Sequence, residues 1–76
     1  MSKAEIVMKL AFYPGRPARS AAYRAGVRDT LMKKLDGVLE IPFPYRLGSA
    51  EADAYLAGTD EGLRRAREFA AEGVAA

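Results

Sequence analysis

The sequence predicts a small all-α protein: a bundle of two or three helices with an extended Pro-Tyr connector between the two main helices. Ser2 and Glu5 have the spacing of a helix capping box. Apolar residues recur every three or four positions along two longer segments, as on the buried face of an amphipathic helix. Between those segments, closely spaced prolines prevent helical hydrogen bonding. We expect a single domain over residues 1–76.

The first helix is expected over residues 3–12, directly after the capping box. A strand is the alternative for so short a segment, because its apolar side chains also alternate: Ile6, Met8, Leu10 and Phe12. Helix is the favoured interpretation. A turn rich in proline and glycine follows, and Pro17 suits the first position of the next helix.

The second helix is predicted over residues 17–36, with Gly37 as its stop. Its apolar stripe has four-residue spacing and consists of Tyr23, Val27, Leu31 and Leu35. Lys33 and Lys34 lie in the last turn, where positive charge complements the carbonyl end of a helix.

The connector is predicted over residues 37–48 and contains the motif Pro42, Phe43, Pro44 and Tyr45. Its two prolines favour an extended, polyproline-like path. Its other apolar residues include Val38, Leu39 and Ile41, which we expect to pack with Phe43 across the helices.

The third helix is predicted over residues 49–72, capped by Ser49 and continuous through Gly58 and Gly62. Its expected buried face consists of Ala52, Leu56, Leu63, Ala66 and Ala70, with Tyr55 and Phe69 beside it. Acidic side chains near helix starts are expected to interact with the helix dipole: Glu51, Asp53, Asp60 and Glu61.

The composition argues against an enzyme. The chain has no cysteine and no histidine, which excludes thiol catalysis, imidazole bases and the usual zinc ligand sets. No phosphate-binding loop or nucleophile elbow is present, so we predict no catalytic residue, no metal site and no cofactor. No apolar run long enough for a membrane span and no secretory signal occur, so a cytoplasmic location without membrane contact is expected.

Charge is distributed unevenly along the chain. Residues 1–46 carry nine Lys/Arg against four Asp/Glu, whereas residues 47–76 carry three against six. This polarity suits a basic surface facing an anionic partner, and it equally suits attraction between helices of one fold or dimer.

Basic residues interleaved with tyrosines form a candidate RNA-binding set, because cations bind phosphates and flat rings stack on bases. The candidate residues are Arg16, Arg19, Arg24, Arg28, Lys33, Arg46 and Tyr45. Tyr13 and Tyr23 lie between them, and Tyr23 is expected in the core because it belongs to the apolar stripe. A general contribution of these charges to solubility is the alternative.

Three short segments carry a resemblance to a known family. They are Ala22-Tyr23-Arg24-Ala25-Gly26, Pro44-Tyr45, and Tyr55-Leu56-Ala57-Gly58 followed by Glu61-Gly62. Their order and spacing resemble the ribosome modulation factor family of very small bacterial proteins, and similar short proteins occur in phages. The resemblance implies two helices, a Pro-Tyr connector and a basic surface that binds ribosomal RNA and holds translation inactive during stress.

The sequence therefore predicts a non-enzymatic RNA-binding or ribosome-associated regulator of translation. The alternative is a protein-interaction module, either a dimeric adaptor or an inhibitor of a host protein encoded by a mobile element. In that case the apolar connector and the alanine-rich helix faces would bind a protein partner or a second copy of the chain.

Overall fold

The computed structural model describes the backbone of residues 1–75 and the side chains of residues 1–72. It contains three helices: α1 (Lys3–Ala11), α2 (Ala21–Leu35) and α3 (Ala50–Ala75). No strand forms within residues 1–75, which confirms the all-α prediction. In that same part of the chain, no helix is both long and apolar enough to cross a bilayer.

Helix α1 begins at the predicted capping box. The hydroxyl oxygen of Ser2 accepts a hydrogen bond from the Glu5 amide at 3.1 Å, and the Glu5 carboxylate accepts one from the Ser2 amide at 3.5 Å. Both contacts satisfy N–H groups that a helix leaves free at its start. The segment is therefore a helix and not the alternative strand, and it buries Ala4, Val7 and Ala11.

Helix α2 begins four residues later than predicted. Pro17 does not start it: Ser20 is the N-cap, and its hydroxyl oxygen accepts a hydrogen bond from the Tyr23 amide at 3.1 Å. The fixed φ of proline suits an extended chain as well as a helix start, whereas only a side chain such as that of Ser20 satisfies a free amide. The other end agrees with the prediction, because Gly37 follows with a φ of +74°.

Helix α3 starts after Ser49, whose hydroxyl oxygen accepts a hydrogen bond from the Ala52 amide at 3.1 Å. It continues through Gly58 and Gly62 without a break, as predicted. Its end lies at Ala75, beyond the predicted end at residue 72.

Helices α2 and α3 pack with their backbones in close contact at glycine. A Cβ atom on Gly26 would overlap the carbonyl oxygen of Tyr55, and one on Gly58 would overlap the carbonyl oxygen of Tyr23. At Gly62 a Cβ would lie 2.7 Å from the Cβ of Thr30. These contacts leave no space for any side chain at the three glycines.

The two long helices run parallel, because neighbouring residues advance in the same direction along both. In order, these neighbours are Gly26 with Tyr55, Thr30 with Gly62, and Leu35 with Ala66. Helix α1 runs in the opposite direction: the amide of Ala4, at its start, donates a hydrogen bond to Asp36, at the end of α2, at 3.3 Å.

A pattern of tyrosine, alanine, glycine and an acidic residue occurs in α2 and again in α3. It reads Tyr-x-Ala-Gly-x-x-Asp from Tyr23 and Tyr-x-Ala-Gly-x-x-Glu from Tyr55. The hydroxyl of Tyr23 donates to Glu61 at 2.6 Å, and the hydroxyl of Tyr55 donates to Asp29 at 2.8 Å. Each tyrosine therefore binds the acidic residue of the other helix, on the two sides of the glycine contact.

The apolar core is small and lies where the three helices meet. Its members are Ala4, Val7, Val27, Leu31 and Ala66, with Phe12 and Phe69 packed against it. The predicted stripe of α2 faces this core, since Val27 and Leu31 are fully buried.

The predicted buried face of α3 is partly wrong. Leu56 is 47% exposed and Ala70 is exposed, whereas Tyr55 and Gly62 are buried. The glycines explain the difference, because they bring their own side of α3 against α2 and turn Leu56 outward. The connector prediction also fails at Leu39, which is 98% exposed.

Candidate nucleic-acid interface

Three predicted RNA-contact residues lie together on one side of α2 and of the chain just before it, and we call them the basic face: Arg19, Arg24 and Arg28. All three are exposed. Arg19 and Arg24 line one cleft, Arg24 and Arg28 line a second, and Arg28 lines a third together with Lys9 of α1. The adjoining clefts show that the basic face is continuous along the junction of α1 and α2.

The charge of the basic face is only partly neutralised within the protein. Arg28 forms an ion pair with the buried carboxylate of Asp29 at 3.2 Å, yet 55% of its side chain stays exposed. The guanidinium of Arg19 lies over the ring of Tyr23, 4.5 Å from its centroid. Among the side chains of residues 1–72, no carboxylate lies within salt-bridge distance of Arg19 or Arg24.

Arg16 lines the first cleft beside Arg19 and Arg24, but its guanidinium is engaged within the protein. Its guanidinium donates to both carboxylate oxygens of Glu61, at 2.8 and 3.0 Å, and to the carbonyl of Ala11 at 2.6 Å. It also lies over the ring of Phe12 at 4.5 Å, and only 15% of its side chain is exposed. Arg16 therefore joins the chain after α1 to α3, and three of its five N–H donors are used in doing so.

Glu61 is the centre of a buried polar cluster. Hydrogen bonds from Arg16, and also from Tyr23 and Arg65, lower the pKa of Glu61 from 4.5 to about 2, although burial acts in the opposite direction. The carboxylate in turn raises the pKa of Arg16. A group with a pKa of about 2 stays ionised near neutral pH, as expected for a structural ion pair.

The tyrosines of both tyrosine–carboxylate pairs have raised pKa values. The pKa of Tyr55 is raised from 10.0 to about 12, mainly by burial and to a lesser extent by the hydrogen bond to Asp29. Burial also raises the pKa of Tyr23. Both phenols stay protonated near neutral pH and act as hydrogen-bond donors across the helix interface.

The remaining predicted residues lie elsewhere. Lys33 follows Arg24 by nine residues, which places it about 180° around the helix from Arg24. Arg46 is exposed on the connector, and its carbonyl accepts a hydrogen bond from the Ser49 hydroxyl at 2.7 Å. Tyr45 is half-buried and packs edge-on against Tyr55, with ring centroids 5.9 Å apart.

The connector motif is anchored by its aromatic residues. The ring of Phe43 also packs edge-on against Tyr55, at 5.3 Å between centroids, while Pro42 and Pro44 are exposed. Tyr45 and Phe43 therefore hold the connector on α3. This packing gives Tyr45 a role in positioning the connector.

Sequence reasoning missed the partners of the tyrosines. Helical periodicity does not identify Glu61 or Asp29 as buried, and the position of Glu61 near a possible helix start suggests only an interaction with the helix dipole. The repeated pattern that starts at Tyr23 and at Tyr55 is the signal that identifies both carboxylates. It places an acidic residue six positions after each tyrosine.

Within the described residues, no group of acidic side chains is arranged to hold a metal ion. Comparison with known proteins adds no assignment: no protein family, curated protein or solved structure matches this chain.

Proposed function

We propose that this protein binds structured RNA through the basic face, Arg19, Arg24 and Arg28. The observation that carries the proposal is that these exposed guanidinium groups line adjoining clefts along α2 and the segment just before it. The Cα atoms of Arg24 and Arg28 are separated by one helical turn, about 6 Å along the axis. Arginine binds phosphate oxygens in a bidentate manner, which favours ordered phosphate contacts over diffuse attraction.

The resemblance favours ribosomal RNA as the structured RNA that this protein binds. The segments similar to ribosome modulation factor include Arg24, on the basic face, and the two glycines Gly26 and Gly58 that join α2 to α3. The resemblance thus covers both the helix pair and part of the surface that it displays. Its implied function is a regulator of translation acting during stress.

The charge-removal test uses the double variant Arg19→Gln/Arg24→Gln. Because each phosphate contact releases counterions, binding to ribosomes or to structured RNA should weaken steeply as salt increases. Loss of two contacts should reduce the slope of log K against log salt by about two. Fluorescence anisotropy over a salt series measures both slopes.

A matched control removes the same charge from another side of α2. Lys33→Gln/Lys34→Gln changes two exposed cations that lie away from Arg24. We expect this variant to retain the wild-type salt slope. Equal slopes for the wild type and the arginine variant, or equal losses in both variants, would contradict binding through the basic face.

A protein-interaction function is the second candidate, favoured by exposed apolar side chains on the connector and on α3. Leu39 is 98% exposed, Leu47 78%, Leu56 47% and Phe43 41%. Sedimentation velocity at micromolar concentration in moderate salt tests it. A stable dimer without RNA affinity would favour this candidate, whereas a monomer that binds RNA would favour the basic face.

A further inference from the structure

A small cleft lies at the end of the basic face, where the chain passes from α1 into α2. It has a volume of about 200 Å³ and is lined by Phe12, Tyr13, Arg16, Pro17, Arg19 and Arg24, among others. The cleft brings two arginines whose charge is not neutralised by the side chains of residues 1–72 together with an aromatic ring. Tyr13 is 55% exposed, so its ring is accessible to a ligand.

The wall that carries Tyr13 is fixed by a turn. The Arg16 amide donates a hydrogen bond to the Tyr13 carbonyl at 3.1 Å, and Gly15 between them has a φ of +97°. Pro14 at the second position and glycine at the third are typical of a type II turn. The turn ends at Arg16, which is held by Glu61, so the cleft exists before a ligand binds and little ordering is required on binding.

We propose that this cleft binds one unpaired nucleotide of the RNA, with Tyr13 stacked on the base and Arg19 and Arg24 in contact with adjoining phosphates. The inference rests on the proposed function and adds a preference for unpaired RNA to it. A base in a duplex is not available for stacking, whereas bases in loops and bulges are.

The size of the cleft limits its ligand to about one base, with the sugar and phosphates at its opening. Pockets for drug-sized ligands have volumes of roughly 300–1,000 Å³, and this cleft is smaller. Its chemistry is that of single-stranded nucleic-acid sites, where aromatic rings stack on bases and cations contact the backbone. Tyr13 therefore supplies a preference that the arginines alone cannot supply, because phosphates are present in paired and unpaired RNA alike.

The test compares two RNA probes with equal numbers of phosphates: a fully paired duplex, and a hairpin with an unpaired loop. The wild-type protein should bind the hairpin more tightly. Tyr13→Leu should weaken hairpin binding about tenfold and leave duplex binding unchanged, because stacking on one base is lost. Tyr13→Phe keeps an aromatic ring and should retain the hairpin preference.

The possible failures are distinguishable. If Tyr13→Leu changes the two affinities equally, or changes neither, the single-nucleotide site is overturned while RNA binding by the basic face stands. If the wild-type protein binds neither probe, the basic face and the cleft are both overturned. Thermal melting of each variant by circular dichroism serves as the folding control, and unchanged melting is expected because Tyr13 is exposed.

Discussion

Replacing Gly26 by alanine is expected to destabilise the protein by about 3 kcal/mol, the upper part of the range for overpacking. The added Cβ atom would overlap the carbonyl oxygen of Tyr55, which belongs to a helix backbone and cannot rotate away. The two helices would have to separate along their contact. Urea unfolding followed by circular dichroism measures the change, and Gly58→Ala should show a similar loss.

The sign of this effect distinguishes packing from helix propensity. In a helix without close contacts, alanine is more stable than glycine by about 1 kcal/mol. Ala57→Gly, at an exposed position of α3, calibrates that difference in this protein. A gain in stability for Gly26→Ala would show that the backbones of α2 and α3 do not touch.

Glu61→Gln is expected to cost about 3 kcal/mol, since breaking a buried ion pair leaves the remaining charge uncompensated. Arg16 would lose its carboxylate partner while it remains largely buried. Domains of this size rarely exceed about 5 kcal/mol of total stability, so the variant should be partly unfolded at elevated temperature. Thermal and urea unfolding measure the loss.

The lowered pKa of Glu61 predicts how the stability of the protein depends on pH. The pKa of Glu61 is lowered from 4.5 to about 2 in the folded state, so its stabilisation is fully present above pH 4.5. This stabilisation is lost as the pH falls from 4.5 toward 2. The total loss in the free energy of unfolding is about 3 kcal/mol. The stability difference between the wild type and Glu61→Gln should therefore shrink steadily over this interval.

Glu68→Gln is the matched control, because Glu68 forms an exposed ion pair with Arg64 at 3.7 Å on the same helix. Exposed pairs contribute about 0–1 kcal/mol, so this variant should resemble the wild type. Equal losses for the two variants would contradict a buried structural role for Glu61, as would a stability difference that does not change with pH.

The helices were predictable because their signals are local. Helix caps interact only with residues a few positions away in the chain. The predicted caps all formed at their predicted positions: the capping box of Ser2 and Glu5, Ser49 before α3, and Gly37 after α2. The start of α2 was not predictable to the same degree. Pro17 and Ser20 are both typical of helix starts, and only the folded chain shows which of them caps the helix.

The basic face was less predictable, because contacts between residues distant in sequence determine which arginines are exposed. Arg16 and Arg19 are indistinguishable as residue types, yet Arg16 is held by Glu61, 45 positions away, and Arg19 is exposed. Leu56 has the spacing of a buried residue, but the glycine contact turns it outward. Helical periodicity gives the faces of a helix and does not state which face approaches another helix most closely.

The parallel arrangement of α2 and α3 sets a minimum length for the segment between them. After Leu35 the chain must return along the whole of α2 before α3 can begin. For a helix of 15 residues that distance is about 22 Å. An extended chain covers at most about 3.6 Å per residue, so roughly six or seven residues are the shortest crossover. Residues 36–49 provide about twice that length, which leaves slack for the exposed loop around Leu39.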